Sequence, residues 1–155
     1  MEKIDSLNQV AEFHKTFNAP ILETPQIPSK ERCQLRVSLL QEELNELKEA
    51  IENNDLVEIA DALCDLQYVF SGAVLEFGLG EKFVTLFNEV QRSNMSKACD
   101  TELQAQETVE FYKTKGEEAY YEKSGEKYNV HRVSDNKVLK NKYYSSADLK
   151  SILNK

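Results

Sequence analysis

Apolar residues recur every three or four positions over two long segments of the chain. The first segment begins after Ser29, a good N-cap residue, and its stripe alternates steps of four and three, as in an amphipathic helix: Cys33, Val37, Leu40, Leu44, Leu47 and Ile51. A tight turn is expected at residues 53–55, where Asp55 would cap a second long helix that ends at Gly78. Two antiparallel helices joined by so short a turn form a hairpin.

Shorter helices flank this predicted hairpin. The pattern indicates an amphipathic helix over about residues 4–17, which ends before Pro20. After the hairpin, weaker patterns of the same period predict helices over about residues 81–92, 101–115 and 146–153.

The pattern changes after Gly116. There Tyr and Val alternate with polar residues around Ser-Gly and Asp-Asn turns, which predicts a small β-hairpin or meander. Because the chain shows no repeat, low-complexity tract or convincing domain boundary, we expect a single domain over residues 1–155. Residues 1–100 would form its helical core, and residues 101–155 a C-terminal extension of helix, β-hairpin and tail.

The composition is typical of a folded, helix-rich protein. Hydrophobic residues make up 41% and charged residues 30%, with 5 Gly and 3 Pro, so neither disorder nor a collagen-like chain is expected. No signal peptide or membrane span is evident, and the three widely spaced cysteines are expected to be reduced thiols, two of them buried. Both features favour the cytoplasm. The net charge of −8 argues against binding duplex nucleic acid, which requires a basic surface.

The negative charge is concentrated in the predicted hairpin. From Val37 to Glu81 there are eleven acidic residues and one base, Lys48, so this segment carries −10 and the rest of the chain +2. The acidity is therefore local, and it calls for a local explanation.

Four of these acids would form two facing ledges. Glu43 and Glu46 lie on the first helix, and Glu58 and Asp61 near the start of the second. Residues three or four apart share a helix face, and the short turn brings the two faces together. Asp65 extends the second ledge by one turn.

Solvated surface carboxylates are the ordinary explanation of such a cluster, because surface helices are rich in glutamate. Two observations oppose it. No Lys or Arg lies three or four residues from any of these acids on its own helix, so like-charge pairs, each costing roughly 0.2–0.5 kcal/mol, have no evident compensation. The second helix is also apolar almost all round, which would place it centrally in a bundle. Buried carboxylates need a counter-charge, and a divalent cation supplies one.

Two of the acids have further explanations. Glu58 would be the third helical residue after Asp55, where a glutamate completes a capping box. Asp65 is better placed to hydrogen-bond a metal ligand than to be one. All-oxygen ligands without clustered His or Cys suit Mg²⁺, with Mn²⁺ as the alternative, and magnesium held by carboxylates implies phosphate chemistry.

Taken in order, these residues resemble a known superfamily. EELNE at residues 42–46, followed by EIAD at residues 58–61, is similar to the EExxE and ExxD signature of the all-α nucleoside-triphosphate pyrophosphohydrolases. These comprise the MazG-like and phosphoribosyl-ATP-pyrophosphohydrolase-like enzymes. The resemblance continues through EIADALCDLQYVFSGAVLEFGLG, FNEVQRSNMSK and the tail, so it covers most of the chain.

The resemblance implies a fold, a reaction and a metal site. The fold is an all-α helical-hairpin bundle completed by oligomerisation, as a homodimer or a dimer of dimers, here with a small C-terminal β-hairpin. The reaction cleaves a nucleoside triphosphate between the α and β phosphates to give a nucleoside monophosphate and pyrophosphate. By resemblance, Glu42 would bind an additional metal or position the attacking water, with Glu43 as the second catalytic candidate, and magnesium would be held by Glu43, Glu46, Glu58 and Asp61.

Other residues are candidates for binding the nucleotide. Three follow soon after the acidic segment and would contact phosphate oxygens or the base: Arg92, Asn94 and Lys97. A basic residue such as Arg92 is equally expected at a helix end, where it favours the terminal carbonyls. His14 and Phe17 would flank a nucleobase, although a single His on an amphipathic helix is more often structural.

Two other functions stay open. A phosphoribosyl-ATP pyrophosphohydrolase of histidine synthesis shares the metal signature, but the segment after Met95 does not resemble that compact enzyme. A non-catalytic helical module that senses a nucleotide or a metal would keep the fold, but it would not need the complete set of acids. We therefore expect a metal-dependent nucleoside-triphosphate pyrophosphohydrolase.

Overall fold

A computed structural model describes residues 4–154 of the chain. Within that range the elements follow one another as α1 (Ser6–Thr16), α2 (Lys30–Glu52), α3 (Leu56–Glu76), α4 (Gly80–Met95), α5 (Glu102–Lys113), β1 (Ala119–Ser124), β2 (Lys127–Arg132) and α6 (Leu149–Leu153). The fold class is therefore the predicted one, mostly helical with a small C-terminal β-hairpin.

The helical hairpin of α2 and α3 forms as predicted, because each helix is capped at its start. The Ser29 hydroxyl accepts a hydrogen bond from the Arg32 N–H at 3.3 Å. Asp55 Oδ1 accepts from the N–H groups of Val57 and Glu58 at 3.0 and 3.2 Å. Between the helices Asn54 adopts a left-handed conformation with φ of 54°, which an asparagine tolerates in a turn.

The segment between α1 and α2 crosses the C-terminal end of α3. The N–H groups of Leu22 and Gln26 donate to the carbonyls of Leu75 and Phe77, each at 3.1 Å. Gly78 ends the helix with φ of +67°, and a Cβ at this position would lie 1.9 Å from the Thr24 carbonyl oxygen. Only glycine fits there, so Gly78 both terminates α3 and admits the crossing chain. We call residues 17–29 the crossing segment.

The chain divides into two compact units, one through Phe83 and one from Val84 onward. The first unit contains the α2–α3 hairpin, with α1 packed against α3. In the second unit α5 packs on the β-hairpin, in which Ala119 pairs with Arg132. The core of the second unit consists of the buried residues Cys99, Ala105, Val130 and Leu139.

Two element boundaries differ from the sequence prediction by three residues. Helix α4 continues to Met95, three residues beyond the expected end. Helix α6 begins at Leu149, three residues later than expected, because the Asp148 carboxylate caps it by accepting from the Ser151 N–H at 3.1 Å.

The expectation that two cysteines are buried is wrong. All three are free thiols, but Cys33 is half-buried, Cys64 is exposed and Cys99 is fully buried. Burial raises the pKa of the Cys99 thiol, against the opposing effect of a contact with the Thr108 hydroxyl.

Sequence analysis placed α3 centrally in a bundle that a further chain completes; within a single chain, part of its surface is exposed. Leu56, Val57, Leu63 and Phe70 are 77%, 75%, 52% and 42% exposed, although α1 and α2 pack against α3 and the Phe70 ring makes an edge contact with Phe83. Among the described residues, no single helix is long and apolar enough to be a candidate membrane span. Helices α3 and α4 meet these two criteria only when they are taken together, as a pair that is bent at the break between them.

Candidate active site

The acidic cluster is centred on Glu43, on the face of α2 that packs against α3. One of its carboxylate oxygens, Oε2, is buried and has no hydrogen-bond partner among the described residues. Burial raises the pKa of Glu43, and further acids raise it by charge repulsion: Glu46, Asp65, Glu42 and Asp61. The structure therefore brings carboxylates of both helices close enough to act on one buried oxygen.

The other candidate ligands are more accessible. Glu42 and Glu46 on α2, and Glu58 and Asp61 on α3, are exposed, whereas Asp65 is half-buried. Among residues 4–154, no three His, Cys, Asp or Glu side chains lie close enough together to hold one metal ion. The charges of acids on both helices therefore act on Glu43, but the acidic side chains do not surround one common position.

The donor chemistry fits a hard divalent cation. The cluster offers carboxylate oxygens only, and Glu43 Oε2 has lost water without gaining a donor. A cation that takes six or more oxygen ligands, such as Mg²⁺ or Mn²⁺, would supply the missing counter-charge. The backbone of the hairpin already places the acids on facing sides, so rotation of exposed side chains is what binding would require.

The tip of the hairpin holds an open cleft of about 410 Å³. Its walls include two of the predicted ligands, Glu46 and Glu58, and the cleft is lined by Glu46, Glu49, Ala50, Asn53, Asp55 and Glu58. Sequence analysis did not single out Glu49 and Asn53. Glu49 lies one turn after Glu46, so the helical spacing alone could have indicated it.

The capping-box explanation of Glu58 does not hold. In a capping box the glutamate side chain accepts from the N–H of the N-cap residue. Here the Asp55 N–H already donates to the Ala50 carbonyl at 3.0 Å. The Glu58 carboxylate is therefore left for another partner.

His14 is placed as a structural residue in the first unit. It is 2% exposed, its Nδ1 lies 2.8 Å from the Pro20 carbonyl oxygen, and its Nε2 lies 3.4 Å from Arg36 Nη2. Since a guanidinium only donates, Nε2 accepts and Nδ1 carries the proton. Both ring nitrogens are engaged, so His14 links the crossing segment, through Pro20, to Arg36 of α2.

Phe17, by contrast, is open to solvent. It is 65% exposed, and its ring centroid lies 4.4 Å from that of Phe13. Phe13 also makes an edge contact with Tyr68 of α3, at 5.6 Å. Tyr68 lies two helical turns beyond Asp61 on the same face of α3, about 10 Å along the axis at 1.5 Å per residue. Sequence analysis did not include Tyr68 in the site.

The remaining candidates lie in the second unit, around the end of α4. Arg92 forms a two-pronged pair with the Glu89 carboxylate at 2.8 Å and donates to the Ser146 carbonyl at 3.1 Å. Lys97 donates to the Asn94 side-chain oxygen at 2.8 Å. Their role in substrate binding stays a prediction.

A second charged cluster in the first unit was missed by sequence analysis. Glu76 of α3 is 1% exposed and receives hydrogen bonds from Arg32 and Arg36 of α2. Burial opposes ionisation, but these two guanidinium groups lower the pKa of Glu76 below its ordinary value. The available signal was Glu76 itself, a charge that interrupts the most apolar stretch of the chain.

Comparisons with known proteins identify the family of the chain. A family model described as phosphoribosyl-ATP pyrophosphohydrolase matches residues 10–94, more than half of the chain, including both helices of the hairpin. An uncharacterised protein of Acanthamoeba polyphaga mimivirus is 24% identical, with 98% of this chain and 97% of that protein covered. The family match ends before α5, so the β-hairpin and tail lie outside it.

Proposed function

The chain belongs to the phosphoribosyl-ATP pyrophosphohydrolase family, whose members are nucleotide pyrophosphohydrolases, and on this premise we propose that it hydrolyses a nucleoside triphosphate between the α and β phosphates. The products would be a nucleoside monophosphate and pyrophosphate. The observation that carries the proposal is Glu43, whose buried oxygen has no hydrogen-bond partner within residues 4–154 and whose charge is opposed by acids of both helices.

Magnesium is the proposed cofactor, with manganese as a substitute. Glu43, Glu46, Glu58 and Asp61 would hold it, and Asp65 would hydrogen-bond one of these ligands. When bound, the ion would neutralise phosphate oxygens and lower the pKa of a water molecule. The chain itself would repel a polyphosphate, because its hairpin segment carries −10. Activity should therefore depend strictly on the metal.

The remaining steps belong to side chains of the hairpin. Glu42 is exposed beside the cluster, where its carboxylate could orient the attacking water and accept its proton. The cleft at the hairpin tip, which Glu46 and Glu58 border, would admit the polyphosphate.

The nucleobase would be held in the first unit by stacking. Phe17 offers an exposed ring, and Phe13 fixes its orientation. His14, with both ring nitrogens engaged, would keep this end of α1 in place rather than contact the base.

Association of identical chains is part of the proposal. Helix α2 leaves a row of apolar side chains exposed at heptad spacing: Val37 at 67%, Leu44 at 49% and Ile51 at 55%. Helix α3 leaves Leu56, Leu63 and Phe70 exposed in a similar row. Contiguous apolar surface of this kind marks an interface, so we expect a homodimer or a dimer of dimers built on the hairpin.

The family description supports a second candidate substrate, phosphoribosyl-ATP. It carries the same triphosphate and would use the same acids. The family match does not extend beyond residue 94, and the segment after Met95 does not resemble the histidine-synthesis enzyme. A non-catalytic module is disfavoured, since it would not require a complete set of acids on both helices.

The test is a panel of nucleoside triphosphates and phosphoribosyl-ATP, each with Mg²⁺ or EDTA, read by release of pyrophosphate and of the monophosphate. Glu46→Ala and Asp61→Ala are expected to abolish turnover while the helical circular dichroism persists. Glu12→Ala, an exposed carboxylate on α1, is the matched control and should keep full activity. Full turnover by either cluster variant would refute the proposed site.

A further inference from the structure

We propose that the buried cluster of Arg32, Arg36 and Glu76 is a positioning device that fixes the register between α2 and α3. Register here means which residue of α2 lies opposite which residue of α3. The register determines which acids of the two helices lie opposite each other. The cluster would therefore affect the metal site although Arg36 lies two helical turns from Glu43. The effect on metal binding rests on the proposed function, whereas the effect on register does not.

The bonds of this cluster are directional. Arg32 Nε donates to Glu76 Oε2 at 3.0 Å, and the terminal nitrogens of both arginines donate to Glu76 Oε1. Glu76 is 1% and Arg36 8% exposed, so water cannot replace a lost bond. Sliding one helix past the other would leave buried charges without partners, which is strongly unfavourable.

Steric contact with Gly72 adds a second constraint. A Cβ at Gly72 would lie 2.8 Å from Arg36 Nη1 and 3.0 Å from His14 Nε2. A side chain at position 72 would therefore require Arg36 and His14 to shift from their present contacts. His14 closes the site from the side of α1, since its Nε2 accepts from Arg36 and its Nδ1 donates to Pro20.

Helix geometry links this cluster to the acids. Arg36 precedes Glu43 by seven residues on α2, and Gly72 follows Asp65 by seven residues on α3, so each pair lies two turns apart on one face. Because the helices are antiparallel, placing Arg36 opposite Gly72 places Glu43 opposite Asp65. The influence of the Asp65 charge on Glu43 agrees with this pairing. A slip of one residue would displace Glu43 by about 1.5 Å and turn it by about 100°.

The rest of the hairpin interface is poorly suited to fix a register. Its other buried or half-buried residues include several apolar ones: buried Ala50 and Ala62, and half-buried Leu40, Leu47, Leu66 and Val69. Hydrophobic burial is non-directional, so these contacts stabilise the hairpin without selecting one alignment. Buried polar groups are best attested as selectors of register rather than as sources of stability.

The experiment separates register from stability by replacing the central pair with apolar residues of similar size, Arg36→Met with Glu76→Leu. Such a replacement often leaves stability unchanged or raised. Arg32, whose side chain is 34% exposed, can turn to solvent. Arg132→Met with Glu117→Leu, which removes an ion pair of the second unit, is the matched control.

Register is read by electron–electron distance measurement between spin labels on Gln34→Cys in α2 and the native Cys64 in α3, in a Cys33→Ser background. Both label sites are exposed, and labelled chains are diluted with unlabelled ones to suppress distances between subunits. The parent and the control should give one narrow distance distribution, and Arg36→Met with Glu76→Leu a broadened or shifted one. The same narrow distribution in this variant would overturn the proposal, as would a broad one in the parent.

Manganese affinity, read from the electron paramagnetic resonance signal of free Mn²⁺, is the second measurement. We expect at least a tenfold weaker affinity in Arg36→Met with Glu76→Leu and no change in the control. An affinity within twofold of the parent would contradict the link to the site. If the parent binds no Mn²⁺, the proposed function fails, but the distance measurement still decides the register.

A second variant covers the case in which the apolar pair does not fold. Arg36→Lys keeps the charge but replaces the guanidinium group, whose Nη2 donates both to Glu76 and to His14. We expect broadened distances and weaker Mn²⁺ binding in this variant as well. A narrow distribution with parental affinity would refute the positioning role.

Discussion

Glu43 lies in surroundings that disfavour its negative charge. Its Oε2 is buried and has no hydrogen-bond partner in the described part of the chain, and burial together with neighbouring carboxylates raises the pKa of Glu43. Glu43→Gln keeps the shape and removes the charge. With EDTA present, we expect the free energy of unfolding to rise by roughly 0.2–0.5 kcal/mol for each like-charge pair removed, measured by urea denaturation.

The same substitution should abolish catalysis. Loss of a group that merely supports a metal ligand costs about 10–100-fold in affinity or activity, and loss of a ligand should cost more. Glu52→Gln, an exposed change near the end of α2, is the control for both measurements. Equal turnover of the two variants would remove Glu43 from the site.

Glu76 is the residue whose single loss should be most costly. Glu76→Ala leaves Arg36, which is 8% exposed, as a buried charge that has lost its carboxylate. We expect a loss of about 3–5 kcal/mol in the free energy of unfolding, whereas Glu12→Ala on the exposed face of α1 should stay within about 0.5 kcal/mol. A loss below about 1 kcal/mol would show that the cluster is hydrated in solution.

At the scale of elements, the end of α3 depends on Gly78. Gly78 and Gly116 both have positive φ, but a Cβ would lie 1.9 Å from the Thr24 carbonyl at Gly78 and meet nothing within 4 Å at Gly116. Gly116→Ala therefore isolates the conformational cost, about 1–2 kcal/mol. Gly78→Ala should cost clearly more by urea denaturation, and equal costs would mean that the crossing segment is not tightly held.

The connection between α4 and the tail should depend on pH. Hydrogen bonds from Arg92 and from the Asp148 backbone lower the pKa of Glu89 to about 2, from an ordinary value of 4.5. A lowered pKa means that the contribution of Glu89 is complete above pH 4.5 and declines as the pH falls toward 2. We expect hydrogen exchange of the Asp148 amide to lose protection over this range. In Glu89→Gln this pH dependence should disappear; its persistence would assign the effect to another group.

At the scale of the whole molecule, the exposed apolar row on α2 predicts an assembly. Leu44→Lys would place a charge in the middle of that row, so we expect light scattering to report a monomer for this variant and an oligomer for the parent. Ile27→Lys, at an 83% exposed position outside the helices, should leave the assembly intact. A monomeric parent at all concentrations would refute the interface.

The helical hairpin could be predicted from sequence because its signals are local. Ser29 and Asp55 cap their helices, and the periodic stripe and the acid spacing need only the geometry of one helix. Burial around α3 could not be predicted, since it depends on how many neighbours pack against it, and two helices leave Leu56 and Leu63 exposed.

Contacts between distant residues were equally invisible in the sequence. Arg36 and Glu76 are 40 residues apart, and nothing in either helix pattern pairs them. The spacing of the acids predicted that Glu43 meets acids of the other helix, but not that Glu46 and Asp61 point into solvent. Side-chain direction depends on tertiary packing and on charge repulsion, which a periodic pattern does not record.

The three thiols are buried to different extents, so their reaction with a thiol reagent would report on unfolding. Cys64 would react with a thiol reagent in the native protein, whereas Cys99, enclosed in the second unit, would react only after that unit opens. Reagent would be consumed first by Cys64 and last by Cys99. The rate of the last reaction would then measure how fast the second unit opens, and the experiment would need no substitution or label.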